Sequence, residues 1–384
     1  MRPFTIALAL TLTTLIARAA KPKPLPPFVA HVGVAERVFH PKAHRNWRGD
    51  VHEELRATIW YPAVDTAVET RQTIGPPDVP LFEAGMASPH AEFAPSLSPF
   101  PLVLLSHGSG GSGLQLAWLG TALAKAGYIA VAVDHPGNNA IDGNTAEGFV
   151  LWWERATDLS NVLDGMLADP EFGHRIDDSR IAAAGFSIGG YTALALAGAQ
   201  TDISEMTDLC HTGSSKPASA TAVDSDHDDR DTTICHVPEM RPLGTVDEVL
   251  HATRKTSGES LARSGESYRD PRIIAVFSIA PAAAFTLTQE SLHAIKLPVE
   301  IVVGSADRIA NPRDNADYLR AYIRGARENV IPNVTHYTFL DTCTPAGKTQ
   351  LPAFCTDDPL IDRTTIHTQV STEAIKFLDR ALHM

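Results

Sequence analysis

The sequence predicts an α/β protein built on a doubly wound, mostly parallel sheet with an inserted cap or lid segment. Three observations carry this. Short apolar runs such as "PLVLLSHGSGG", "YIAVAVDHPG" and "LPVEIVVGSAD" end in glycine, proline or acidic residues, which suits strands buried on both faces. Helical patterns alternate with them, as parallel strands joined by crossover helices require. A chain of 384 residues, 44% hydrophobic, is long enough to cover both faces of one large sheet.

In chain order, "VGVAERVFH" and "ELRATIWYPA" read as an antiparallel strand pair, because β-branched and aromatic residues alternate between turn signals. Residues 65–100 are rich in proline and lack a sustained period, which predicts a surface loop. "PLVLLS" is then a buried strand, and "LQLAWLGTALAKAG" a helix stopped by Gly127. "YIAVAV" is the next strand. In "WWERATDLSNVLDGMLAD" the positions Leu159, Val162, Leu163, Met166 and Leu167 give the spacing of an amphipathic helix. "RIAAAGF" is a strand, and "IGGYTALALAGA" a helix whose small residues allow close packing.

Residues 201–270 break the rhythm: "SSKPASATAVDSDHDDRD" is too polar to build a core and reads as an insertion over the site. "RIIAVFSIAP" and "LPVEIVVGSAD" restore the strands, each followed by a helix pattern. "NVIPNVTHYTF" is a last short strand and loop, and "TTIHTQVSTEAIKFLDRAL" a closing amphipathic helix.

At the amino terminus, one arginine, an apolar run from Phe4 to Ile16 and Ala17-Arg18-Ala19 have the form of a secretory signal peptide over residues 1–19. A membrane anchor is the competing reading, but the apolar run is short for a membrane span, so none is expected after cleavage. Residues 20–28 follow as a proline-rich leader and 29–384 as the main domain, in a secreted or periplasmic protein. The formal net charge of −13 and the absence of a basic stripe exclude the electrostatic footprint of a nucleic-acid binder. Export would carry the four cysteines into an oxidising compartment. They permit three connectivities; spacing favours Cys210 with Cys235 and Cys343 with Cys355, each stapling one excursion. Zinc is the competing use, but no C-x-x-C pair occurs. Read as a calcium loop from Asp224, the acidic run puts Asp229 and Cys235 where glycine and an acid are needed, so it is read as a solvated charge run. No metal or cofactor is expected.

The most informative stretch is "AAAGFSIGGYTALALAG". Gly185-Phe186-Ser187-Ile188-Gly189 fits G-x-S-x-G between a predicted strand and a predicted helix, where a sharp turn lifts a serine hydroxyl clear of the sheet. Flanking glycines are needed where Cβ atoms would collide with neighbouring backbone. A hydroxyl nucleophile needs a base, and the base an orienting carboxylate, in the chain order serine, acid, histidine. Asp307 ends the strand of "VEIVVGSAD", and His336 lies on the loop after the last strand. The Ile188 amide, at the helix N-terminus, and the Ser109 amide, on the glycine-rich loop of "LLSHGSGG", are the candidate oxyanion donors. His107 reads as scaffold. Each part has an ordinary reading too: a chance glycine-serine match, a turn aspartate, a loop histidine. What separates the readings is that all parts fall at predicted strand ends in the required order. Asp134 precedes the serine and does not fit the orienting acid; His293 and His367 lie on predicted helices.

These residues resemble the serine α/β-hydrolase superfamily, and more narrowly the exported proteins described as predicted dienelactone hydrolases, relatives of platelet-activating-factor acetylhydrolase. "TIWYPA", "VLLSHGSGG", "VAVDHPG", "RATDLSNVLDGM", "GFSIGG", "VGSADRIANP" and "THYTFLDTC" carry the resemblance. It implies the α/β-hydrolase fold, a triad of Ser187, Asp307 and His336, and oxyanion amides at Ser109 and Ile188. True dienelactone hydrolases use cysteine where this chain has Ser187, so their substrate does not transfer. The acetylhydrolase relatives place the acid one strand earlier, where this chain reads "SIAPAAAF" without a carboxylate, which returns the role to Asp307. The expected activity is hydrolysis of a small or lipid-like carboxylic ester of short to medium acyl length. The alternatives are a short-acyl phospholipid hydrolase, an amidase or peptidase, and a binding protein on a hydrolase scaffold. Oligomeric state is not legible.

Overall fold

The apolar runs become strands of one twisted sheet whose order places the site. In the computed structural model, which describes residues 31–41, 54–96, 98–212 and 243–382, the chain begins with β1 (His31–Phe39) paired antiparallel to β2 (Leu55–Ala63). There follow β3 (Thr70–Ile74), β4 (Phe82–Pro89), β5 (Phe100–Ser106), α1 (Ala117–Lys125) and β6 (Ile129–Val133). Next come the short β7 (Asn138–Asn139) and β8 (Gly143–Asn144), α2 (Ala146–Val150), α3 (Glu154–Ala168), β9 (Ile176–Phe186) and α4 (Ile188–Leu196). Beyond these lie α5 (Ile203–Thr212), α6 (Val246–Ala262), β10 (Ile273–Ile279), α7 (Gln289–Ala294), β11 (Val299–Gly304) and α8 (Ala316–Tyr322). The chain closes with β12 (Arg327–Ile331), β13 (Thr342–Cys343), α9 (Pro345–Gln350), α10 (Pro352–Cys355) and α11 (Arg363–Leu382).

Among the described residues the sheet has 11 strands, ordered β12-β11-β10-β9-β5-β6-β2-β1-β4-β13, with β3 attached to β4. From β12 to β6 all neighbours are parallel; β2 then joins β6 antiparallel. Successive side chains of a strand point to opposite faces, and β5 shows the result. Leu102 and Leu104 enter the core shared with Leu159, Val162 and Leu163 of α3, whereas Val103 and Leu105 enter the core shared with Leu119 of α1 and Val370 and Leu378 of α11. Helices on both faces thus bury the central strands, the reason those strands read as unbroken apolar runs.

Residues 65–100 differ from the expected loop, since they form the hairpin β3–β4. Its strands pair antiparallel, and β4 also pairs with β1 and β13. The physical cause of the misreading is local. Gly75, Pro76, Pro77 and Pro80 crowd the turn, Gly85 sits inside β4 with φ +84°, and a register shift interrupts the pairing, so no period of two is sustained. In the segment 201–270, expected to be an insertion, the described residues include the helices α5 and α6. Val249 and Leu250 of α6 are buried in the core, and the helix opens with a capping box between Thr245 and Glu248. The signal peptide and leader, the acidic run at 224–231 and the Cys210–Cys235 pairing fall outside the described residues. Cys343 and Cys355 form a disulfide.

Candidate active site

Strand β9 breaks at Ser187, whose φ of 58° and ψ of −123° lie where residues with a Cβ are rarely found. The surroundings hold it there. Its N–H donates to Ile279 O at 2.9 Å, and its carbonyl accepts from Gly190 N at 2.8 Å and Ala282 N at 3.1 Å. A Cβ on Gly189 would lie 1.9 Å from Ser106 O, and one on Gly185 would lie 2.1 Å from Gly189 O. Backbone therefore touches backbone on both sides of the serine, and α4 starts at the next residue.

Asp307 lies three residues beyond the end of β11. One carboxylate oxygen, Oδ1, accepts from Ile309 N at 2.9 Å and Ala310 N at 2.8 Å; the other, Oδ2, is 2.7 Å from His336 Nδ1. His336 opens a 3₁₀ turn after β12, and its Nε2 is 2.9 Å from Ser187 Oγ. All three residues are buried. The hydrogen-bond order assigns the Nδ1 proton to the Asp307 side and leaves Nε2 as an acceptor facing the Ser187 hydroxyl. Residues separated by 149 and 29 positions are thus joined in one chain of hydrogen bonds.

The turn bearing His336 is anchored from two helices. Trp118 of α1 donates through Nε1 to Phe339 O at 3.0 Å, and Arg363 of α11 donates to Asp341 O at 3.0 Å and to Phe354 O at 2.9 Å. His367 stacks on Trp118 with ring centroids 4.5 Å apart. Burial first, then the Arg363 charge, pushes its imidazole down to about 4, so it sits neutral in the core. The expectation of a helical, structural His367 agrees with this packing; His293 lies on α7 beside Tyr322.

Ser109 and Ile188 both line a cavity of about 590 Å³ that Ser187 and His336 also line. Ile188 is the first residue of α4, so its N–H has no acceptor one turn earlier. Gly108 approaches the serine so closely that a Cβ there would lie 3.4 Å from Ser187 Cβ. The remaining wall is largely apolar. Ile74, Leu81 and Phe82 come from the β3–β4 hairpin, and Tyr337, Leu351 and Phe354 from the His336 turn and the disulfide-closed segment behind it. No described residue of 201–270 lines this cavity.

Sequence reasoning missed these wall residues. The hairpin ones were hidden by the loop assignment; Leu351 lies between helices of 6 and 4 residues and Phe354 on the second, both helices too short to show a period. It also passed over Asp341, a buried wall residue whose carboxyl is held well above the usual carboxylate range by burial, against the Trp118 N–H and Arg363. Among the described residues no three His, Cys, Asp or Glu side chains are grouped to hold a metal ion.

Comparison with known proteins agrees with the architecture. The alpha/beta hydrolase family profile matches residues 102–345. A segment of 103 residues is 34% identical to Cutinase est1 of Thermobifida alba, covering 26% of this chain and 31% of that protein. The same length is 33% identical to Cutinase 2 of Thermobifida cellulosilytica, covering 26% of this chain and 36% of that one. The chain thus spans about a third of the length of the curated relatives it matches. A ferulic acid esterase from Streptomyces cinnamoneus superposes with a TM-score of 0.57 over 95% of this chain and 92% of its own, at 20% identity, a likeness of fold. With the profile covering the sheet from β5 to β13, including the strand-turn-helix that carries Ser187, the chain belongs to the alpha/beta hydrolase family.

Proposed function

We propose that the protein is a serine carboxylester hydrolase. The observation that carries this reading is the hydrogen-bonded chain Ser187–His336–Asp307 at the wall of a largely apolar cavity. In the proposed reaction His336 Nε2 takes the proton of Ser187 Oγ as the oxygen attacks the ester carbonyl, while the Ser109 and Ile188 amides hold the developing oxyanion. Collapse expels the alcohol, which receives the proton from His336, and water then releases the acyl group by the reverse transfers. Asp307 keeps the imidazole in the useful tautomer and stabilises the imidazolium.

Among the described residues that line the cavity there is no lysine or arginine. This favours a neutral ester over an anionic one, and the acyl group proposed for it is short to medium in length. Cutinase and ferulic acid esterase, the names of similar proteins, are both esterases and point the same way. The narrower likeness to predicted dienelactone hydrolases and platelet-activating-factor acetylhydrolase leaves a short-acyl phospholipid as the competing substrate. The Cys343–Cys355 disulfide supports export to an oxidising compartment, with residues 1–19 as the proposed signal peptide and 201–270 as the proposed insertion. Among the described residues no helix is long and apolar enough to cross a membrane.

The test is turnover of p-nitrophenyl butyrate, of an anilide of the same acid and of a short-acyl phospholipid. The proposal expects ester turnover that disappears in Ser187→Ala; turnover surviving in that variant would falsify it. Preference for the anilide would move the enzyme to the amidases.

A further inference from the structure

Beneath the glycine-rich loop lies a buried guanidinium that the reaction above does not use. Arg155 projects from the first turn of α3 and is 2% exposed. Nη1 donates to Asn138 Oδ1 at 2.9 Å, and Nη2 donates to Ser106 Oγ at 3.3 Å and to the carbonyl of His107. Asn138 carries the contact onward: its Oδ1 also accepts from Gly110 N at 3.1 Å, and its Nδ2 donates to Ser109 Oγ at 3.3 Å. One side chain thus grips residues 106–110 from below, directly and through a single amide.

The loop's central peptide is fixed from a second direction. His135 N donates to His107 Nε2 at 3.1 Å, which assigns the proton to Nδ1; that proton is given to Gly108 O at 2.6 Å. Gly111 N donates to the same oxygen at 3.2 Å. In a trans peptide the C=O and N–H point in opposite directions, so holding Gly108 O turns the Ser109 N–H away from His107 and Gly111. Arg155 holds the preceding carbonyl and Asn138 the following amide, so the plane between them has little freedom to rotate.

A fully buried charge is costly, and replacing buried ionic groups by apolar residues of similar volume is often neutral or stabilising. Stability alone therefore gives little reason for a guanidinium here. A planar fork that cannot lose its charge and meets a carbonyl, an amide oxygen and a hydroxyl is suited to holding geometry. We infer that Arg155, acting through the His107 carbonyl and Asn138, is a positioning residue that aims the Ser109 amide at the oxyanion. This rests on the reading of Ser187 as nucleophile.

The test uses the full-length protein with Arg155→Lys, Asn138→Ala and the double variant, measuring kcat and KM for p-nitrophenyl butyrate and the active-site titre. The Ki for a trifluoromethyl ketone, which adds to the serine as a tetrahedral oxyanion, supplies a readout that general loosening would not move selectively. Loss of a whole oxyanion donor costs about 10²–10³ in kcat, so misaiming one is expected to lower kcat about 10- to 100-fold. KM should stay within about threefold, Ki should rise by the factor that kcat falls, and the double variant should be no worse than the poorer single one. A kcat within about twofold of the parent in the folded variants overturns the inference, as does a loss matched by the active-site titre or confined to KM. Should Arg155→Lys fail to fold, Asn138→Ala decides alone. Ester turnover surviving in Ser187→Ala removes the reading underneath, whereas an inactive Ser187→Ala beside unimpaired Arg155 and Asn138 variants removes only this inference.

Discussion

Asp307 Oδ2 and His336 Nδ1 stand 2.7 Å apart, with the other oxygen of Asp307 held by two backbone amides. The carboxylate is therefore locked as an acceptor facing the ring. Asp307→Asn offers an NH₂ or a carbonyl of similar shape and favours the wrong imidazole tautomer. The expected result is a drop in kcat of about 10⁴ with the fold intact. Steady-state kinetics alongside circular dichroism check it, and near-normal turnover would move the acid elsewhere.

Gly189 has no room for a side chain. Its Cβ position is 1.9 Å from Ser106 O and 2.7 Å from His107 O, backbone atoms that move only if β5 and α4 separate. Gly189→Ala is expected to destabilise by at least the about 1–3 kcal/mol typical of overpacking and to abolish turnover. Gly258, exposed on α6 with nothing within 4 Å of its Cβ position, is the control. There alanine should be neutral or stabilise by up to about 1 kcal/mol. Urea midpoints of the two variants separate these outcomes; equal midpoints would contradict the packing argument.

The Cys343–Cys355 disulfide closes a short segment, 12 positions apart, that carries Leu351 and Phe354 into the cavity wall. Replacing both cysteines by serine is expected to cost about 3 kcal/mol of stability, the usual magnitude for a loop of this size. It should also raise KM more than it lowers kcat, because the wall loosens while Ser187 and His336 keep their own anchors. Denaturant titration and a KM-against-kcat comparison test both parts, and unchanged values for both would contradict them.

Acid-base linkage gives a separate prediction. Burial first, and Glu373 second, push the Glu300 carboxyl on β11 up to about 7 from its ordinary 4.5, with Arg380 opposing. Between those values the folded protein binds a proton that the unfolded chain has released, so this site's contribution to stability falls as pH rises from about 4.5 to 7. His367 acts with the opposite sign: its imidazole is pushed down to about 4, so its contribution is present above the ordinary 6.5 and lost as pH falls toward 4. The two overlap, and a difference measurement isolates the first. Glu300→Gln should gain stability over the parent at pH 8 relative to pH 5; parallel curves would contradict the assignment.

Much of the architecture was legible because burial on both faces leaves a signature in the residues themselves. The runs Leu102–Leu105 and Ile129–Val133 are apolar at every position, and each is a central parallel strand. The Ser187 turn was legible because a backbone-to-backbone contact admits only glycine at positions 185 and 189. The hairpin of Thr70–Pro89 was not, since an edge hairpin broken by prolines and an internal glycine has neither an apolar run nor a steady alternation. The grip of Arg155 on Asn138 was equally hidden. Arg155 reads as a polar position in an amphipathic helix, and only tertiary folding brings it and Asn138 of β7 against the glycine-rich loop.

The most direct measurement is the chemical identity of the residue that reacts. A fluorophosphonate should deposit one adduct per chain, on the peptide containing Ser187, with ester turnover falling in proportion to labelling, and His336→Ala should label far more slowly. Label on another residue, or full labelling of Ser187 with ester turnover intact, would contradict the account.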